Sequence, residues 1–152
     1  GKRINCETIG KKIAASIEQE LEQKIASTGP KVAAMIWHDP LMCVSPTRYS
    51  GAILELCGFI VPDFEPNGNG YPVVTTNHLI EHGIEGLLLS SEPHNFALEE
   101  GEEISERVVL EGGQQIWNVC IDGEALTWFG THTLHGLKEF KALCEDLKMK
   151  AS

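Results

Sequence analysis

Apolar residues return at every fourth position near the start of the chain: Ile9, Ile13, Ile17, Leu21 and Ile25, with Ala14 and Ala15 widening the stripe. This spacing predicts an amphipathic helix over residues 7–27, capped by Asn5 and stopped by Gly29-Pro30. A strict four-residue step drifts about 40° per repeat on a helix of 3.6 residues per turn, so the stripe winds and can touch two neighbours. The period then changes. Residues 32–37 are a short apolar run between Pro30 and His38-Asp39-Pro40, which reads as a buried strand. Ser45-Pro46 offers a cap followed by proline at the first helical position, and Tyr49, Ala52, Ile53, Leu56 and Cys57 follow at helical spacing up to Gly58. Phe59-Ile60-Val61 reads as a further strand halted by Pro62, which puts strand, helix and strand in the order of a crossover unit.

Asp, Asn, Gly and Pro make residues 62–72 a loop, with Phe64 and Tyr71 as anchors, and residues 71–76 look extended. Asn77 can cap a short helix to His82, ended by Gly83; Leu87-Leu88-Leu89 reads as a buried strand, with a length that also admits a helix, and residues 90–95 are loop. The sharpest local signal is Asp122-Gly123, a preferred two-residue hairpin turn flanked by residues 116–121 and 124–129. That register pairs Ile121 with Glu124, Val119 with Leu126 and Trp117 with Trp128, gathering two tryptophans and two aliphatics on one face. Residues 104–110 add a third strand, and residues 133–148 form a last helix with Leu137, Phe140, Cys144 and Leu147 on one side. The expected fold is α+β. It is a single domain over residues 1–152, with an antiparallel C-terminal meander packed by the N-terminal and C-terminal helices.

Composition narrows the class. The 152 residues are 42% hydrophobic and 22% charged, as in an ordinary globular domain. No apolar run approaches the roughly 20 residues that cross a bilayer, so no membrane role is expected. Cys6, Cys43, Cys57, Cys120 and Cys144 are odd in number and contain no C-x-x-C pair, which favours reduced thiols and a cytoplasmic location. The net charge of −10 is uneven, because residues 32–137 hold only Arg48 and Arg107 against fifteen Asp and Glu. Such a body repels phosphate backbones, which argues against nucleic-acid binding and for either a solubilising surface or a basic protein partner.

Four segments carry candidate chemistry. His78-Leu79-Ile80-Glu81-His82 resembles the inverted zinc-protease motif H-x-x-E-H over those five residues. On a helix His78 and His82 share a face, so both could hold zinc with Glu81 as general base. The competing explanation is a capped surface turn with two ordinary histidines. His132 and His135, with Glu139 one turn on, form a second possible metal set, against the plainer reading of solvent-facing histidines. Ser45, Thr47 and Arg48 stand at an expected helix start, which favours anions, against the plainer reading of a capped helix with Arg48 bridging a nearby carboxylate. Cys43 to Arg48 is one residue short of a C-x5-R phosphatase loop and lacks its glycines, so that identity is rejected. In Trp37-His38-Asp39 the two polar residues should point to opposite faces of a strand and not meet.

The G-x-S-x-G, Walker and G-x-G-x-x-G patterns are missing, and the Glu99–Glu103 cluster lacks calcium-loop order. With no complete catalytic set, the favoured reading is a small acidic cytosolic binding or regulatory module. It would be non-enzymatic, without a cofactor, acting on a basic protein, with a homodimer as a reasonable assembly. The alternative is a small zinc-dependent hydrolase built on His78, Glu81 and His82. A further alternative is a small-molecule-binding protein with its pocket between sheet and helices.

Overall fold

The apolar run at residues 32–37 forms strand β1 (Val32–Trp37), and Leu87-Leu88-Leu89 forms the centre of β3 (Gly86–Ser90). These two strands lie side by side and parallel, with Ala33 opposite Leu87 and Met35 opposite Leu89. A third long strand, β4 (Trp117–Ile121), pairs parallel to β3, and the two-residue β2 (Met42–Cys43) pairs antiparallel to β1. The sheet order is β2-β1-β3-β4. The computed structural model describes residues 6–22, 28–127 and 131–151.

Helices cover both faces. Along the sequence they are α1 (Cys6–Glu22), α2 (Tyr49–Leu56), α3 (Thr76–Glu81), α4 (Leu98–Leu110), α5 (Gly123–Thr127) and α6 (Thr131–Ala151). Ala33, Met35, Leu87 and Leu89 point into one core with Leu79, Ile104 and Val108 of α3 and α4. Val32, Ala34, Ile36 and Leu88 point into the other, against Ile53, Leu54, Leu126, Leu137 and Phe140 of α2, α5 and α6. A parallel sheet needs cover on both sides, so the inner strands β1 and β3 are buried almost throughout rather than alternately. All five residues of β3 are accordingly buried. The winding first helix packs on α6 and leaves Ile9 half exposed.

The expected antiparallel meander is therefore corrected to a mixed sheet of mostly parallel strands between helical layers. Residues 104–110 belong to α4, not to a strand. Their buried positions are Gly101, Ile104, Ser105 and Val108, a helical spacing in which two small residues hide the apolar stripe. Gly101 is small for a reason: a Cβ there would lie 2.6 Å from Leu89 Cδ1. At Asp122-Gly123 the chain starts a helix instead of reversing. Asp122 Oδ1 accepts from the Glu124 amide at 2.9 Å, and the Asp122 carbonyl accepts from Leu126 at 3.2 Å. Val119 accordingly pairs with Leu88, and Trp117 with Gly86; the expected partner Trp128 lies outside the described residues.

Smaller corrections concern the caps. Arg48, not Ser45, is the residue before α2, and its side chain makes no capping bond. Thr75, not Asn77, caps α3 by accepting from the His78 amide. Phe59-Ile60-Val61 contributes a single parallel bridge between Ile60 and Lys31. The Asn5 cap lies outside the described residues.

Candidate ligand-binding site

Three parallel strands end on the same side of the sheet, and in open α/β sheets ligands bind beyond the carboxyl ends. A cavity of about 500 Å³ opens there. Ile36 and Trp37 of β1, Met42 of β2 and Val44 form one wall. Tyr49 and Ser50 of α2, Asn69 and Tyr71 of the 62–75 loop, Pro93 after β3 and Thr127 of α5 complete the lining. The lining is mostly apolar with a few polar groups, the ordinary makeup of a small-molecule site. Trp37 and Tyr71 are 42% and 40% exposed, so two aromatic rings stand half open to solvent at the rim. Tyr49 is held from behind by a 2.6 Å hydrogen bond between its hydroxyl and Thr133 Oγ1.

Arg48 adds a charge at this rim. Its Nε donates to the Asn69 carbonyl at 2.8 Å, and its guanidinium lies 5.1 Å from the centre of the Tyr71 ring. The Tyr71 amide in turn donates to Asn69 Oδ1 at 2.9 Å. Gly70 makes this possible: its φ is +85°, and a Cβ there would sit 2.3 Å from Arg48 Nε. A side chain at residue 70 would be strained by that φ and would displace the Arg48 side chain.

Beside Trp37 lies a second group of polar rings. His38 and His94 stack with centroids 5.7 Å apart, and both approach Glu100 Oε1, at 3.8 Å and 2.9 Å respectively. His94 also meets Trp37 and Phe96 edge-on, at 6.0 Å and 4.6 Å. The Glu100 carboxyl is held below its ordinary range, first by the Ala97 amide and then by its hydrogen bond to His94. His38 and Asp39 lie in the turn after β1 and not on the strand, and the Asp39 carbonyl accepts from the Trp37 indole at 3.0 Å.

The residues singled out in the sequence are dispersed. Ser45 is buried; its hydroxyl bonds Thr47 Oγ1 at 2.9 Å and donates to Asp63 Oδ1 at 3.3 Å, while Arg48 turns away to Asn69. His78 uses Nδ1 to accept from the Thr75 amide at 3.2 Å. His82 closes α3, with Nδ1 2.9 Å from the His78 carbonyl and its ring 4.6 Å from that of Phe64. Among the described residues, the three-ligand group that the structure assembles is Asp122, His135 and Glu139. Trp37, Tyr49, Tyr71, His94 and Glu100 were not read as site residues. The available signal was their place just after an apolar run or inside the Gly/Asn loop.

Solved proteins share this fold. The periplasmic heme-binding protein HutB of Vibrio cholerae superposes with a TM-score of 0.64 at 18% identity, over 90% of this chain and 55% of its own. The periplasmic heme-binding protein RhuT from Roseiflexus sp. RS-1 gives 0.60 at 15%, over 90% and 56%. The periplasmic vitamin B12 binding protein BtuF of Vibrio cholerae gives 0.59 at 10%, over 91% and 51%. The chain thus spans about half the length of these proteins. No protein-family model and no curated protein matches the sequence.

These neighbours correct two expectations. A cytosolic, protein-binding regulatory module is not what this fold is found doing among them: by name they are periplasmic and bind heme or vitamin B12. The cysteines that suggested cytoplasm do not bear on compartment. Cys43, Cys57 and Cys144 are buried and fill core space as small apolar groups. Burial, with Asp63 nearby, pushes the Cys43 thiol up to about 12, and burial likewise raises Cys144.

Proposed function

We propose that this chain is a small-molecule-binding module of the periplasmic solute-binding type, holding its ligand in the cavity at the carboxyl ends of β1, β3 and β4. The observation that carries this reading is the cavity itself, about 500 Å³ and mainly apolar. Its volume falls inside the roughly 300–1,000 Å³ of ordinary ligand sites. Trp37, Tyr49 and Tyr71 offer ring faces to a flat, conjugated ligand, and Arg48 offers a cation to an acidic substituent. The ligand class follows from that lining and from the heme, vitamin B12 and iron compounds named for the neighbours. The location that goes with it is the periplasm.

Titrating hemin, cyanocobalamin and a ferric hydroxamate against tryptophan fluorescence tests the proposal. At least one should quench saturably, with Trp37→Ala and Tyr71→Ala each weakening binding about tenfold, the equivalent of about 1.4 kcal/mol. Both rings are half exposed, so the substitutions should change stability by less than about 0.5 kcal/mol. Quenching that persists unchanged in both variants would place the ligand elsewhere.

A further inference from the structure

At the opposite edge of the sheet from β2, the end of β4 and the start of α6 bring three metal-ligating side chains to one point. Asp122 follows the last residue of β4, and His135 and Glu139 lie four apart on one face of α6. One ligand atom from each falls within 4.8 Å of the other two. His135 Nε2 is already 3.2 Å from Glu139 Oε2. We propose that Asp122, His135 and Glu139 form a binding site for a divalent transition ion of the zinc type.

The fold supplies the reason these groups converge. Gly136 lets α6 approach α5 so closely that a Cβ there would stand 2.4 Å from the Ala125 carbonyl oxygen. This contact sets the start of α5, and Asp122 with it, against the first turns of α6. Asp122 is also oriented, because its Oδ1 accepts from the Glu124 amide at 2.9 Å. Zinc bonds to nitrogen and oxygen are about 2.0–2.2 Å, so tetrahedral ligand atoms stand about 3.4 Å apart. The His135–Glu139 spacing already fits, and a small rotamer change of the exposed Asp122 and His135 side chains closes the rest. One imidazole and two carboxylates suit a borderline ion better than magnesium or calcium, which prefer oxygen alone. Three protein ligands leave a position for water.

The test uses untagged full-length protein, stripped with chelator and titrated with zinc chloride by calorimetry, with magnesium chloride as the control. One zinc per chain is expected with a Kd of about 10 µM or tighter, and magnesium should give no saturable heat. His135→Ala, Glu139→Gln and Asp122→Asn should each weaken zinc binding at least about tenfold. Asn keeps the helix-capping oxygen, so the last variant isolates the ligand charge from the cap. Circular dichroism melts of the metal-free variants check that the fold is intact. The double variant His78→Ala/His82→Ala should bind zinc as the wild type does. Absence of saturable zinc binding, or loss of it in the double variant while His135→Ala retains it, overturns the site.

Discussion

Main-chain hydrogen bonds tie both ends of β1, β3 and β4, as between the His94 amide and the Ile36 carbonyl at 3.2 Å beyond the carboxyl ends, but the exposed rings of Trp37 and Tyr71 stand at the carboxyl ends. Around the amino ends the Glu85 amide donates to the Lys31 carbonyl at 2.8 Å, the Trp117 amide to the Glu85 carbonyl at 3.2 Å and the Val32 amide to the Ile60 carbonyl at 2.9 Å. The Lys31 amide donates to Glu85 Oε2 at 2.6 Å, which seals the same junction. A concavity of about 560 Å³ lies at this end too, lined by Gly83, Gly112, Gly113, Gln114 and Gln115 among others. Volume therefore does not distinguish the two ends. What differs is how many such groups gather: Trp37, Tyr71, Arg48, His38, His94 and Glu100 stand at the carboxyl end, against Trp117 and Glu85 in the amino-end lining. Under the proposed function, the ligand goes to the end where aromatic and titratable groups are gathered, not to the larger space.

Three substitutions can break or sharpen this contrast. The largest effect belongs to neither end. Leu88 is fully buried at the middle of β3, and Leu88→Ala should cost about 2–5 kcal/mol by urea denaturation, from lost transfer energy and the cavity left behind. A cost under about 1 kcal/mol would mean that β3 is not the shared centre of two cores.

Gly86→Ala comes next and probes the amino end. A Cβ there would stand 2.2 Å from Trp117 Cε2, so the ring or the strand must shift. The expected loss is about 1–3 kcal/mol, with hemin or cobalamin quenching unchanged if the ends are independent. A parallel loss of ligand affinity would show that the contrast between the ends is not real.

Glu100→Gln has the smallest effect and probes the carboxyl end. The Ala97 amide and His94 hold this carboxyl below its unfolded value of about 4.3. Its stabilisation is therefore complete above that pH and fades as the pH falls through the lower folded value. With the side chain 25% exposed, the difference from wild type at neutral pH should stay below about 1 kcal/mol. That difference should narrow in melts taken below about pH 4.3. A gap independent of pH would assign Glu100 a packing role instead.

Residues 32–37, 49–56 and 133–148 were legible as elements because each is a continuous apolar run or keeps helical spacing and ends at a Gly, a Pro or a polar cluster, whereas 87–89 became a strand only through its pairing with β1. Residues 98–110 were not. Gly101 and Ser105 occupy buried helical positions, and the run Val108-Val109-Leu110 imitates a strand when read locally. Asp122-Gly123 was misread because the same dipeptide serves a hairpin turn and a helix start equally well. Gly123 is required here by a close approach that no local pattern encodes, since a Cβ would lie 2.5 Å from the Glu92 amide nitrogen. The ligand cavity draws on residues 36 to 127, so no window of sequence contains it.

By itself the sequence determined the apolar strands, the helices at each end of the chain and the uneven charge, since these depend on neighbours a few residues apart. The tertiary structure alone decided that the strands run parallel, that both sheet faces are covered, and that Trp37, Tyr71 and Arg48 share one rim. Those outcomes rest on contacts between residues distant along the chain, where burial of whole faces outweighs the preferences of any single turn.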